Sequence, residues 1–198
     1  MAAAVCGGEN GRIAAHASQE PSSRTERAWI RAAQAGSEEA FDHLFRRHWP
    51  RAHRAAYLVV HDGAAAEDIA QEAFLAAIRT LDRFDRRRPF APWLHRIVVN
   101  RAIDWARATA VRREAAADPE DLEAETAGSS AARELSDETL LALASLPPEQ
   151  RALVVLRHLL EYTPGEIARM LELPRGTVNS RLRRALDRLG RQMTGDRP

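Results

Sequence analysis

An all-α chain of two small helical domains joined by a flexible linker is predicted by three observations. Apolar residues recur at helical spacing through most of the 198 residues, with no strand-like alternation and no internal repeat. An acidic Ala-, Glu- and Ser-rich stretch from about Arg113 to Leu135 breaks that periodicity once. Beyond it, TPGEIARMLELPRGTVNSRLRRALDRL, starting at Thr163, reads as two helices joined by a tight turn.

Residues 1–23 are rich in Gly, Ala and Ser without a period, and a disordered tail is expected there. They lack a charged start followed by an apolar block, so they do not read as a signal peptide. The first domain is expected over 24–110. Helical patterning opens near Thr25 with Trp29, Ile30, Ala33 and Gln34, and Gly36-Ser37 stops it. Ser37 caps a segment with Ala40, Phe41, Leu44 and Phe45 on one face. Pro50 is expected to interrupt that segment. Ala55, Ala56, Leu58 and Val59 then continue it to a turn at His61-Asp62-Gly63. The next helix, AEDIAQEAFLAAIRTLDRF, carries Ile69, Ala73, Ala76, Ala77, Leu81 and Phe84 as its apolar stripe. A basic loop, Arg86-Arg87-Arg88-Pro89, leads into a helix with Trp93, Leu94, Ile97, Val98 and Trp105 at core spacing.

Residues 111–135 are expected to be a flexible acidic linker, since they offer little to bury and their charges repel. The second domain is expected over 136–192, with a short tail at 193–198. Ser136-Asp137 caps DETLLALASL, and Pro147-Pro148-Glu149 starts PEQRALVVLRHLL. Thr163 is an N-cap, Pro164 fits the first helical position and Glu166 stands where a capping box places its carboxylate. Glu172-Leu173-Pro174 ends that helix, because the residue before a proline is steered from helical angles. A second helix starts near Arg175-Gly176-Thr177.

The net charge of +1 conceals an uneven distribution. From Arg175 onward seven arginines face only Asp187 and Asp196, whereas Glu114 to Asp137 is strongly acidic. The basic end is suited to phosphate and the acidic middle is not. There is no lysine, so every basic side chain is an arginine, with a forked donor suited to phosphate and guanine edges. A GC-rich genome is the plainer cause. The lone Cys6 excludes an internal disulfide and fits a reducing compartment. No apolar run approaches the ~20 residues of a membrane helix, so no membrane insertion is expected, and the chain reads as cytoplasmic. His43, His48 and His53 lie near one another without a metal-ligand pattern. No P-loop, nucleophile elbow or paired-carboxylate site is present. The chain therefore does not read as an enzyme, and no metal or cofactor is expected.

Two surfaces remain. On the last helix Val178, Leu182, Ala185, Leu186 and Leu189 share an apolar side. Gly176, Thr177, Ser180, Arg183, Arg184 and Asp187 face away, with Asn179 and Arg181 on the flanks. Hydroxyl, amide and guanidinium groups near a helix start suit base-edge and phosphate contacts in a major groove. The helix from Glu67 to Phe84 has a polar face of Asp68, Gln71, Glu72, Arg79 and Asp82, which alone reads as a solvated surface. Phe90, Trp93 and Trp105 beside the arginine run are possible platforms for unpaired bases. At helical spacing, Trp93 and Trp105 are assigned mainly to packing.

Taken in order, four segments resemble a bacterial RNA polymerase sigma factor of the extracytoplasmic-function (ECF) type, in the sigma-70 family. GSEEAFDHLFRRH resembles the start of sigma region 2, and AEDIAQEAFLAAIRTLDRF the helix that docks on polymerase core. FAPWLHRIVVNRAIDWAR resembles the segment that melts and reads the −10 element, and LPPEQRALVVLRHLLEYTPGEIARMLELPRGTVNSRLRRAL resembles region 4, which reads the −35 element. The resemblance implies that Asp68, Gln71, Glu72 and Leu75 meet polymerase core, through its beta-prime and beta subunits. It implies −10 DNA contacts from Arg86, Arg87, Arg88, Trp93, Asn100, Arg101 and Arg107. It implies −35 contacts from Arg175, Thr177, Asn179, Ser180, Arg183 and Arg184. Promoter DNA and an anti-sigma factor are the further partners implied. The family usually carries a glycine near Glu161, a tyrosine near Pro164 and a basic residue at Asn179, and these departures bear on the −35 sequence preferred. The alternative reading is a stand-alone helix-turn-helix regulator whose N-terminal helical domain senses or dimerises.

Overall fold

The computed structural model describes residues 23–115 and 135–193. The expected linker, apart from 111–115 and Leu135, lies outside them, as do Cys6 and nearly all of both expected tails. Every regular element described is helical. The first unit holds α1 (Ser23–Gln34), α2 (Glu38–Val60), α3 (Gly63–Thr80) and α4 (Phe90–Ala115). The second holds α5 (Asp137–Ala144), α6 (Pro148–Val154), α7 (Pro164–Leu171) and α8 (Arg175–Met193).

Local chemistry sets most of the boundaries. Gly36 adopts φ +92°, open to glycine at no steric cost, and lets α1 turn into α2. The Ser37 hydroxyl then accepts from Ala40 N–H at 3.2 Å. His61 ends α2 in the left-handed region, and Asp62 caps α3 by accepting from Ala65 N–H at 2.8 Å. The expected break at Pro50 does not occur: α2 runs unbroken for 23 residues. Pro50 lies on the exposed side, and buried Leu44, His48, Ala52 and Ala55 anchor the helix before and after it. That burial outweighs the roughly 3 kcal/mol cost of an interior proline. At its far end α4 reaches Ala115, beyond the point where its apolar periodicity fades.

Small residues let α3 approach its neighbours closely: Ala65, Ala66, Ala70, Ala73 and Ala77 are all buried. Ala76 is only half-buried; Phe74 takes the core position instead. Its ring packs 4.7 Å from Phe45 and 5.9 Å from Trp49 on α2. Phe90, at the start of α4, is fully buried between Phe84 and Trp93. Burying such a side chain contributes about 2–3 kcal/mol.

In the second unit the expected single helix after Pro148 is not uniform. Val155–Leu159 forms a π-helical turn, closed by Leu160 N–H to the Val155 carbonyl at 3.1 Å. Glu161 follows with φ +59°. The core of this unit is Leu146, Leu153, Leu156, Ile167, Val178, Leu182 and Ala185.

The two units pack on each other, α2 and α4 against α6 and α7, and their apolar residues form one contiguous core. Polar groups stitch this seam. Arg151, buried on α6, donates to the Val59 carbonyl in the last turn of α2, and to the carbonyls of Ala144 and Leu146 at 2.6 and 2.9 Å. One guanidinium thus serves the C-terminal carbonyls of a helix in each unit, where a cation is favoured. Burial lowers its pKa to about 10. His95 Nδ1 and the Tyr162 hydroxyl lie 2.7 Å apart, Arg96 meets Glu172 at 2.6 Å, and Arg107 meets Glu149 at 2.5 Å.

Candidate nucleic-acid interface

The helix-turn-helix is built from both of its ends. Thr163 Oγ1 accepts from Glu166 N–H at 3.3 Å, and Glu166 Oε2 accepts from Thr163 N–H at 2.8 Å, completing the expected capping box. Hydrogen bonds from the Thr163 side chain and backbone hold the Glu166 carboxyl below its ordinary range. Glu172 closes α7 in the left-handed region at φ +55°, and Leu173 N–H reaches the Ala168 carbonyl at 2.9 Å. Pro174 then starts α8, its carbonyl accepting from Thr177 and Val178 N–H.

On α8, Val178, Leu182 and Ala185 are buried, and Leu189 is half-buried. Leu186, expected on that apolar side, is 43% exposed. It lies where the apolar arc meets the polar one. Arg175, Asn179, Arg183 and Arg184 are exposed, and Thr177 and Ser180 are half-buried. Ser180 Oγ donates to the Thr177 carbonyl at 3.0 Å, which turns that hydroxyl toward its own helix. The structure thus gathers five of the six onto one outward arc near the helix start, with Thr177 at its edge.

The second candidate surface begins at the loop before α4. Gln34 Nε2 donates to the carbonyls of Leu81 and Phe84 at 2.8 and 2.9 Å, fixing the base of that loop. Asp85 accepts from Arg87 N–H through Oδ1 and from Arg88 N–H through its carbonyl, at 3.0 and 2.9 Å. Arg86, Arg87 and Arg88 are all exposed. Trp93, Asn100 and Arg107 are seven residues apart and so follow one stripe of α4, about 21 Å long at 1.5 Å per residue. Trp93 is half-buried, packed 4.7 Å from Phe84, so only part of its ring is open. Phe90 is not available for stacking at all.

The exposed side of α3 carries Asp68, Gln71, Glu72 and Leu75, the last 51% exposed beside Ile78 at 46%. Asp68, Ile69 and Glu72 line a shallow cleft of about 430 Å³ with Asp62, Arg101, Asp104 and Trp105. Glu72 and Arg101 pair across it at 2.5 Å. Trp105 is half-buried: it packs against the core, as expected, and also walls the cleft.

The histidines serve packing. His48 donates or accepts at 2.7 Å with Glu26, His43 stacks 4.8 Å from Trp29, and His53 stacks on Trp49. Among the described residues no three His, Cys, Asp or Glu are grouped to hold a metal, and no helix is long and apolar enough to cross a membrane. Arg151, His95 and Tyr162 were not singled out by the sequence pattern. Arg151 did carry a signal: at helical spacing it shares the face of Val154 and Val155.

Comparison with known proteins agrees with this geometry. The family model for Sigma-70 region 2 matches residues 44–112, and that for Sigma-70, region 4 matches residues 136–189. The ECF RNA polymerase sigma factor SigM of Mycobacterium tuberculosis is 39% identical over 168 residues, 85% of this chain and 84% of that protein. Among solved structures, CnrH in complex with the cytosolic domain of CnrY superposes with a TM-score of 0.66 at 28% identity, over 87% of this chain and 99% of that one. The sigma factor RpoE of Bartonella quintana, in complex with the anti-sigma factor NepR, shares the fold with a TM-score of 0.62 at 20% identity, over 79% of this chain and 98% of that one. With an arginine-faced helix-turn-helix in one unit, an acid-edged cleft beside the Trp93–Asn100–Arg107 stripe in the other, and these matches across both, the chain belongs to the ECF sigma factors of the sigma-70 family.

Proposed function

We propose that this chain is a dissociable specificity subunit that binds RNA polymerase core, carries it to promoters, opens the −10 region and so starts transcription, with no catalysis of its own. The observation that supports this best is the division of labour between the two units. One unit carries a capped helix-turn-helix with Arg175, Asn179, Ser180, Arg183 and Arg184 outward, suited to the −35 duplex. The other carries the loop Arg86-Arg87-Arg88 and the Trp93–Asn100–Arg107 stripe, with Arg101 alongside, suited to an unpaired −10 strand. Its third face, Asp68, Gln71, Glu72 and Leu75, is the surface for polymerase core. Binding the separated strand supplies the free energy of opening, so no nucleotide site is needed.

The chain acts in the cytoplasm with the polymerase, under an anti-sigma protein. An apolar groove of about 580 Å³ between α2 and the second unit, lined by Leu58, Leu143, Val154, Leu159 and Leu189, offers apolar side chains to such a partner.

The test is transcription reconstituted from core polymerase and this chain on genomic DNA. The expected result is core binding and initiation at a defined set of promoters. A chain that neither binds core nor directs initiation refutes the reading. Tight sequence-specific binding of duplex DNA by the free chain would favour a stand-alone regulator instead.

A further inference from the structure

We propose that Gln34, the last residue of α1, is a positioning residue for promoter opening: its side-chain amide sets the place of Phe84 and, through Phe84, that of the Trp93 ring which receives an unpaired base. This rests on the reading of Trp93 and the Arg86-Arg87-Arg88 loop as the −10 surface. Gln34 lies outside residues 44–112, the span that matches Sigma-70 region 2.

The loop that Gln34 meets has few fixed points of its own. Between Leu81 and Phe90 every residue but Phe84 is exposed. α3 ends at Thr80 and tightens into the 3-10 turn Leu81–Arg83. Phe84 then leaves the helical path at φ −70° and ψ 126°. Carbonyls at such a helix end have no partner further along the helix. They are met by water or by a side chain brought from elsewhere.

Gln34 is that side chain. It follows buried Ile30 by four residues and so shares its inward face, where Trp29, Ile30 and Ala33 are apolar and Gln34 alone is polar. A primary amide carries two N–H groups. Gln34 Nε2 donates to the Leu81 carbonyl at 2.8 Å and to the Phe84 carbonyl at 2.9 Å. The Leu81 carbonyl also accepts from Phe84 N–H at 3.0 Å. Amide, turn and Phe84 are thus closed into one hydrogen-bonded ring.

What is fixed at Phe84 is passed on. Its ring lies 4.7 Å from Trp93 and 5.8 Å from Phe90, so it is the bed on which the half-open Trp93 ring rests. The next residue, Asp85, accepts from Arg87 and Arg88 N–H, so the three arginines start from the same anchored point. α1 therefore braces a surface to which it contributes no contact of its own.

Substitutions at Gln34 separate this role from simple packing. Methionine is unbranched and of similar length but donates nothing. Glutamate keeps the shape and turns an acceptor toward two carbonyls. Lysine restores donors.

The test uses holoenzyme made from core polymerase and the full chain, with a single-stranded oligonucleotide bearing the −10 bases of one of its promoters. Gln34→Met is expected to bind core as the parent does. It is expected to bind the strand about tenfold more weakly, the effect of losing neutral hydrogen bonds that hold a site, and to relax preference at one base. Gln34→Glu is expected to be weaker still, and Gln34→Lys to recover most of the loss. In a Trp93→Leu background Gln34→Met is expected to cost little more, because both changes act on the same ring. Unaltered strand affinity and base preference in Gln34→Met overturn the proposal. Core affinity that falls in step with strand affinity also overturns it, since that is the mark of a merely structural residue. Additive losses with Trp93→Leu overturn it as well. Each of these leaves the functional reading intact. A parent holoenzyme that binds no such strand overturns that reading and this proposal together.

Discussion

Glu72 on α3 and Arg101 on α4 hold each other at 2.5 Å across the cleft that also takes in Asp68 and Trp105. One partner belongs to the surface proposed for polymerase core and the other to the surface proposed for the −10 strand. Both are well exposed, so the pair contributes at most about 1 kcal/mol to stability. Arg101→Ala is therefore expected to leave the unfolding midpoint nearly unchanged while weakening both core binding and promoter opening. Core affinity by titration and open-complex formation on a promoter check this. A variant that loses opening alone shows that Arg101 does not position Glu72.

The rest of the α3 face makes a cleaner case. Asp68 and Gln71 are exposed on it, and among the described residues the Gln71 side chain bonds only its own helix neighbour Glu67, at 3.2 Å. Asp68→Ala with Gln71→Ala is expected to weaken core binding while the −35 duplex is bound as before. Unaltered core affinity removes this face from the core-binding surface.

Arg184 stands on the outward arc of α8, with a 3.5 Å contact to Ser180 as its sole hydrogen bond among the described residues. Arg184→Ala is expected to cost about 1–3 kcal/mol in promoter binding if its guanidinium is bidentate to guanine, with relaxed preference at one base pair. A phosphate contact would instead weaken all sequences alike. Binding across a set of single-base promoter variants separates the two, and an unchanged profile leaves Arg184 merely solvated.

Glu161 sits at φ +59°, a region where a side chain is strained and glycine is not. Glu161→Gly is expected to stabilise the second unit by ~0.5–1 kcal/mol, the relief of strain less the added backbone entropy of glycine. Chemical denaturation of the two chains measures it directly. A destabilised variant would mean that the Glu161 side chain contributes more than its backbone costs.

Two histidines, His95 buried and His61 half-buried, set a pH response. Burial, then the nearby His48 and Arg51, lowers His95 to about 3; burial, then Arg151, lowers His61 to about 4. Unfolded histidine titrates near 6.5, so below that pH the unfolded chain binds more protons and stability falls with falling pH. Each group contributes a slope of up to about 1.4 kcal/mol per pH unit between 6.5 and its folded value. Glu26 acts lower: its bond with His48 holds the carboxyl down, so its contribution is lost only as acid enters the carboxylate range. Denaturation midpoints at pH 7.5 and 5.5 are expected to differ, and His95→Gln is expected to reduce the difference. A flat profile excludes neutral His95 and His61 in the folded chain.

What the sequence made legible was local. Ser37, Ser136 and Thr163 were readable as caps because capping depends on a few adjacent groups, and so was the turn before Pro174. The exposed arc of α8 followed from a 100° step per residue. Pro50 misled because its local cost is offset by burial of residues a turn away on either side. Ala76 stood in for Phe74 because periodicity cannot tell that Phe41, Phe45 and Trp49 present an aromatic pocket from another helix. The seam was out of reach for the same reason: Arg107–Glu149 and His95–Tyr162 join residues 42 and 67 positions apart.

The π-helical turn at Val155–Leu159 holds one residue more than a regular helix would spend on the same rise. That residue acts as a phase shifter. Removing it would rotate everything downstream by about 100° about the α6 axis. Tyr162 would swing out of reach of His95, and the arginine arc of α8 would point along a different azimuth from the α4 stripe. The angle at which this chain presents its recognition helix is thus written outside that helix, in a single surplus residue before it.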